Sequence, residues 1–164
     1  MKLGTKGRYA VMAMADLAIQ SGGKPVALAG IAERQEISLS YLEQLFGKLR
    51  RSSLVKSVRG PGGGYVLARD DGDIRVSDIV MAVDEPLIAT RCRPGSATGC
   101  LSDKSRCLTH ELWEELSNQI HLYLSSVSLS DVINKRILGS SGVLDGPFAV
   151  QPKTEPMPTM APAE

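Results

Sequence analysis

Three cysteines and a histidine fall within twenty residues near the middle of the chain: Cys92, Cys100, Cys107 and His110, spaced Cys-x7-Cys-x6-Cys-x2-His. They are all of the cysteines in the protein and one of its two histidines. Between Cys92 and Cys107 the sequence is rich in Gly, Pro, Ser and Thr and nearly free of apolar side chains. A loop of that composition cannot be held by burial, so a group bound to the cysteines is the natural source of order. No Cys-x2-Cys knuckle is present, and a conventional zinc finger fits poorly. Three thiolates and an imidazole satisfy tetrahedral zinc, and they equally satisfy a [2Fe-2S] cluster, in which each iron takes two protein ligands. Cys107 and His110, three residues apart at the start of an expected helix, would share one face of it. A mixed thiolate–imidazole set responds to pH more readily than four thiolates, which suits a sensor.

An odd number of cysteines without a secretion signal speaks against a disulfide framework. The N-terminus lacks the apolar region of a signal peptide, and no apolar run reaches the roughly 18 residues of a membrane span, so the expected compartment is the cytoplasm, with no membrane partner. No Cys–His–acid constellation or cofactor loop supports an enzyme. His121 reads as a surface or interface residue.

The elements that position this loop are mostly helical. Residues 5–20 carry Tyr9, Ala10, Ala13, Met14 and Leu17 at helical spacing, with Thr5 as the expected N-cap. Residues 26–35 predict a short second helix with Val26, Leu28, Ile31 and Ala32 inward. A tight turn leads to a third helix over about 40–51, whose stripe is Leu42, Leu45, Phe46 and Leu49. Its other face carries Ser40, Glu43, Gln44, Lys48, Arg50 and Arg51. Two short helices and a turn, the second with a polar and basic face, match a helix-turn-helix. Ser, Glu and Gln there can read base edges while Lys and Arg meet phosphates. The same residues have plainer readings: Ser40 and Glu43 form a capping-box pattern, and the cations suit a helix C-terminus.

Residues 54–59 and 65–68 predict two strands joined by Gly60-Pro61-Gly62-Gly63-Gly64, a hairpin wing with Arg59 at its tip. The glycines are not a phosphate-binding loop, because a strand rather than a helix follows them. Asp70-Asp71-Gly72-Asp73 is a surface turn that lacks the full calcium-loop pattern. A short helix through Val83 ends at Asp84-Glu85-Pro86. Beyond the cysteines, Leu112, Leu116, Ile120, Tyr123, Leu124 and Val127 stripe a long helix too apolar for one small head to cover, so a second copy is the expected partner. A last short helix follows a Ser or Asp cap, and from Gly139 the chain holds five of its nine prolines. Charge follows the same division: residues 1–69 carry eleven Lys or Arg against four Asp or Glu, and residues 70–164 carry eight against fourteen. A basic half joined to an acidic half points the first half at a polyanion.

The opening Met1-Lys2-Leu3-Gly4-Thr5-Lys6-Gly7-Arg8-Tyr9-Ala10-Val11 supplies the first motif of a resemblance. Ile37-Ser38-Leu39-Ser40-Tyr41-Leu42-Glu43-Gln44-Leu45-Phe46, the wing Val58-Arg59-Gly60-Pro61-Gly62-Gly63-Gly64-Tyr65 and Cys107-Leu108-Thr109-His110-Glu111-Leu112-Trp113 complete it. Over residues 1–138 the chain resembles the IscR-type iron–sulfur cluster regulators, bacterial winged-helix transcription factors. That resemblance implies a homodimer with one [2Fe-2S] cluster per subunit on Cys92, Cys100, Cys107 and His110, loaded by donors of the iron–sulfur assembly system. It implies repression of cluster-assembly genes and binding to double-stranded operator DNA through Ser38, Ser40, Glu43 and Arg59, with Glu43 discriminating operator classes. The cysteine gaps are longer here than in the best-known branch.

The expected fold is mostly α with a small β-hairpin wing: a winged helix-turn-helix over 1–85, a cysteine-rich loop over 86–110, a dimerisation helix and short terminal helix over 109–138, and a disordered Pro-rich tail over 139–164. The competing function is a regulator of the same fold that senses zinc, nitric oxide or thiol oxidation at these cysteines.

Overall fold

The structure is a computed structural model and describes residues 4–85, 87, 89 and 99–136; Cys92 and the tail, each the subject of an expectation above, lie outside the described residues. Helix α1 (Thr5–Ser21) buries Ala10, Ala13, Met14 and Leu17 completely. Its N-cap is Gly4, not Thr5. The first turn holds no acid and carries Lys6 and Arg8, the wrong sign for a helix N-terminus. The compensating carboxylate comes from far along the chain: the Gly4 N–H donates to Glu85 Oε1 at 2.7 Å.

Helix α2 (Leu28–Gln35) starts two residues later than the apolar pattern suggests. Val26 is not helical. It exchanges both main-chain hydrogen bonds with Tyr65 at 2.9 Å, adding a one-residue rung to the wing. Pro25 ahead of it and the β-branched side chain favour the extended backbone that this needs. α1 and α2 are bound by a buried acid: Asp16, 5% exposed, accepts from Arg34 Nη2 at 2.6 Å, from Arg34 Nε and from Gln35 Nε2 at 2.7 Å.

Helix α3 (Leu39–Arg51) buries Leu42, Leu45, Phe46 and Leu49 and begins at Ser38, whose side chain makes no cap hydrogen bond. Ser40 therefore lies inside the first turn, and the capping-box reading of Ser40 and Glu43 does not hold. Strands β1 (Val55–Val58) and β2 (Gly64–Leu67) pair antiparallel in register, Val55 opposite Leu67 and Val58 opposite Gly64. The turn between them needs positive φ at Gly60 (108°) and Gly62 (73°), which glycine adopts without strain. Phe46 of α3 meets Tyr65 of β2 edge to face with centroids 5.0 Å apart, holding the root of the hairpin against α3.

Helix α4 (Val76–Ala82) follows a 3-10 turn at Asp71–Asp73. Its N-cap is Arg75, and Asp78 takes the third position, accepting from the Arg75 N–H at 3.4 Å. The long helix α5 (His110–Ser126) runs back to the head. There Val76 N–H donates to Val127 O at 3.0 Å and Leu129 N–H to Ile74 O at 2.8 Å. Helix α6 (Leu129–Ile133) is capped by Ser128, which accepts from the Asp131 N–H at 3.0 Å and donates to Asp131 Oδ2 at 2.6 Å. Those contacts hold the Asp131 carboxyl below its ordinary range. Leu129 is fully buried in the same core as α1 and α3, so α6 packs as part of the head, although α5 departs from it.

Asp16→Ala removes the acceptor of three hydrogen bonds from a buried position. We expect Tm, followed by circular dichroism, to fall by about 5–10 °C. A fall below about 2 °C would mean that Arg34, which is partly exposed, recovers its losses in water.

Candidate functional site

Two of the expected ligands meet. Cys100 Sγ lies 3.0 Å from Nδ1 of His110, the first residue of α5, which is only 6% exposed. Glu114, one turn along α5, faces the other ring nitrogen, with Oε2 3.7 Å from Nε2. A carboxylate in that place favours the ring orientation that turns Nδ1 toward Cys100. Cys107 is not on the helix as its spacing with His110 suggested. It lies in the turn before it, its carbonyl accepting the His110 N–H at 3.0 Å. Cys100, Cys107 and His110 nonetheless line one cleft of about 290 Å³, with Ala89, Leu101, Thr109 and Trp113.

Among the described residues no three His, Cys, Asp or Glu side chains converge closely enough to form a complete metal-binding group. Cys92, the fourth expected ligand, is outside them. As chemistry, two thiols and an imidazole opening on one cleft fit a thiophilic metal or an iron–sulfur cluster.

The wall of the cleft is tied to α5 by a contact that sequence reading missed. Ala89 N–H donates to Ser117 Oγ at 2.9 Å, and Ser117 donates onward to Trp113 O at 2.8 Å. Ser117 is buried, although its neighbours Asn118 and Gln119 are exposed. Trp113 Nε1 donates to Thr109 Oγ1 at 3.1 Å, which pins the indole over the mouth of the cleft.

The second candidate surface is the outer face of α3 with the wing. Ser38, Ser40, Glu43, Gln44, Arg50 and Arg51 are exposed there, and Arg59 is exposed at the wing tip. The burial of the opposite stripe fixes this orientation. Lys48 differs from the rest: it is half-buried, its Nζ 2.9 Å from Asp84 Oδ2 and 3.5 Å from Val83 O. Lys48 beside it, with Lys6 and Arg51 nearby, holds the Asp84 carboxyl below its ordinary range. Asp84 and Glu85 had been read only as the end of a helix. Two acids at a helix C-terminus oppose its dipole and so imply partners elsewhere, a signal that was present in the sequence.

α5 carries a third feature. Leu112 and Leu122 remain 61% and 58% exposed, and Trp113 and Tyr123 are also exposed. Leu116 and Ile120 are half-buried, and at the C-terminal end of the stripe Leu124 and Val127 pack with Val76 and Val80.

The Rrf2 family model, described as an iron-dependent transcriptional regulator, matches residues 3–135. The chain is 54% identical over 136 residues to the HTH-type transcriptional regulator IscR of Photorhabdus laumondii, covering 83% of this chain and 81% of that protein. It is 50% identical over 161 residues to IscR of Xenorhabdus nematophila, covering 98% and 96%. Among solved structures, T. potens IscR superposes with a TM-score of 0.66 at 38% identity, covering 89% of this chain and 94% of that one.

Ser117→Ala strips the Ala89 N–H of its acceptor. We expect a loss of about 1 kcal/mol in urea unfolding and faster amide exchange at Ala89. Unchanged exchange at Ala89 would mean that the contact does not hold the wall of the cleft.

Proposed function

This chain belongs to the Rrf2 family of transcriptional regulators, and from that premise we propose that it is a cytoplasmic, homodimeric repressor of cluster-assembly genes that senses iron–sulfur status through a [2Fe-2S] cluster. One cluster per subunit is held by Cys92, Cys100, Cys107 and His110 and delivered by donors of the assembly system. The observation that supports the reading is the contact of Cys100 with His110 at the head of α5, with Cys107 lining the same cleft. When bound, the cluster supplies a crosslink whose presence depends on iron supply and oxidation.

The residues of the chain do the rest. Cys100 and Cys107 present thiolates from the loop. His110 presents an imidazole whose other nitrogen faces Glu114. The loop has little apolar side chain of its own, so its order follows its ligands. α5 links this site to the head, and its exposed Leu112, Trp113, Leu122 and Tyr123 form the face offered to the second copy. A symmetric pair would set two recognition helices about one DNA turn apart.

On the DNA, Ser38, Ser40, Glu43 and Gln44 face base edges, while Arg50, Arg51 and the wing Arg59 meet phosphates or the minor groove. Lys48 joins them to the extent that it leaves Asp84. The domain scheme follows: a reading head over 1–85, a sensor loop over 86–110, coupling elements over 109–138 and a Pro-rich tail over 139–164.

The deciding experiment is anaerobic purification with a visible spectrum, iron, sulfide and zinc analysis, and operator affinity before and after cluster removal at one stated salt concentration. A brown protein with about two irons and two sulfides per chain is expected. A colourless protein with stoichiometric zinc would replace the cluster reading with a zinc sensor. Cys92→Ala should abolish the visible absorption while moving Tm of the head by no more than a few degrees, because the loop buries little apolar area. Arg59→Ala combined with Ser40→Ala should weaken operator binding by about 10- to 100-fold. Unchanged affinity would remove the wing and α3 from the DNA.

A further inference from the structure

Asp84 and Glu85 stand between the two candidate surfaces and belong to neither. Asp84 closes α4 in a left-handed conformation (φ 56°), which Asp tolerates better than most side chains. Its N–H donates to Met81 O at 3.1 Å and that of Glu85 to Val80 O at 3.3 Å, so the direction of both side chains is set by the helix end. From there Asp84 reaches α3 through Lys48 at 2.9 Å, and Glu85 reaches the start of α1 through the Gly4 N–H at 2.7 Å. The second contact has a cradle built for it. A Cβ at Gly4 would overlap the Glu85 carboxylate, and one at Gly7, a turn further on, would press on its Cγ at 3.3 Å. On the other side the chain is held again within four residues. Leu87 packs among Val76, Val80 and Val127, and Ala89 bonds to Ser117 on α5 at the wall of the cysteine cleft.

We propose that Asp84 and Glu85 are positioning residues, a two-pronged clasp that fixes α3 against α1 and passes the state of the cysteine cleft to the DNA-reading face. The transmission half rests on the sensing function proposed above; the clasp itself does not. The cleft wall, Ala89, Leu87 and the clasp are consecutive along one short run of chain. A displacement of the wall is therefore delivered to α1 and α3 through the short segment anchored by Leu87, outside the main core around α3. The clasp also withdraws a cation. Lys48 shares the face of α3 that carries Gln44 and Arg51, and while it is held by Asp84 it is not available to a phosphate.

The test uses the full chain with Asp84→Asn and Glu85→Ala, separately and together, and with Glu85→Gln, which still accepts from the Gly4 N–H. Amide exchange is measured on the cluster-free protein, and operator affinity with and without cluster at one salt concentration. We expect faster exchange across residues 39–51 in Asp84→Asn and across the first turn of α1 in Glu85→Ala. The ratio of the two operator affinities should move toward one by about three- to tenfold in the double variant, with its visible absorption retained. Glu85→Gln should keep most of the ratio. Asp84→Asn should also bind unrelated DNA more tightly, with a steeper salt dependence, as Lys48 is released.

Unchanged exchange in both variants overturns the clasp, whether or not the protein carries a cluster. Faster exchange with an unchanged affinity ratio overturns transmission and leaves only a structural tie. A protein that takes up no cluster overturns the sensing function and with it the transmission half, while exchange still decides the clasp.

Discussion

Burial of one face of α3 is the constraint on which the rest of the head depends. Leu42, Leu45, Phe46 and Leu49 are each 2% exposed or less. Taking four such side chains out of water is worth on the order of 6–12 kcal/mol before entropy is counted, more than any single polar contact described above. The stripe leaves α3 only one way to face, and the opposite side is then presented whatever its residues are. That freedom allows the outer face to carry serines, an acid, an amide and arginines that contribute little to folding. The Asp16 link and the Phe46–Tyr65 pair steady the helices and wing around this core, and neither could replace it.

The head and the cysteine region are held by different physics. The head has a contiguous apolar core, into which α6 returns Leu129. Among its described residues the cysteine region has one buried histidine, two sulfur contacts and a few other hydrogen bonds, with Leu101 and Leu108 left in solvent. A region so lightly held is easily reorganised by whatever binds to it, and a core so well packed resists being reorganised with it. Communication between them must run through the few places where they are joined: the two ends of α5 and the segment that leaves α4.

Much of this was legible in the sequence because it is periodic. The stripes of α1 and α3, the hairpin and the Ser128 cap are local patterns, and the structure follows them to within a residue or two. The departures have one cause in common, a partner distant in sequence. Val26 left the helical pattern for a strand rung with Tyr65. Thr5 lost the cap to Gly4 because Glu85 supplies the charge. Ser117, polar and outside the apolar stripe of α5, is buried where it meets Ala89. Cys107 and His110 have helical spacing, but the helix begins only at His110, and the His110 ring meets Cys100 instead. Lys48 looked like its neighbours on α3 until Asp84 claimed it. Except for Cys100 and His110, the members of these pairs lie too far apart for one local window to contain both.

The rung between Val26 and Tyr65 also bears on how the wing can search. Gly64 has no Cβ because the Val26 carbonyl occupies the space where one would be. The root of the hairpin is thus stitched, backbone to backbone, to the approach of α2 and cannot swing alone. Freedom is confined to the swivel at Gly60 and Gly62, beside Arg59. An arginine on a short swivel above a fixed base explores a small volume quickly. Holding an arginine so placed in one position immobilises about two or three residues, at about 1–2 kcal/mol each. The stitch gives up reach and in return keeps the entropy of engagement low.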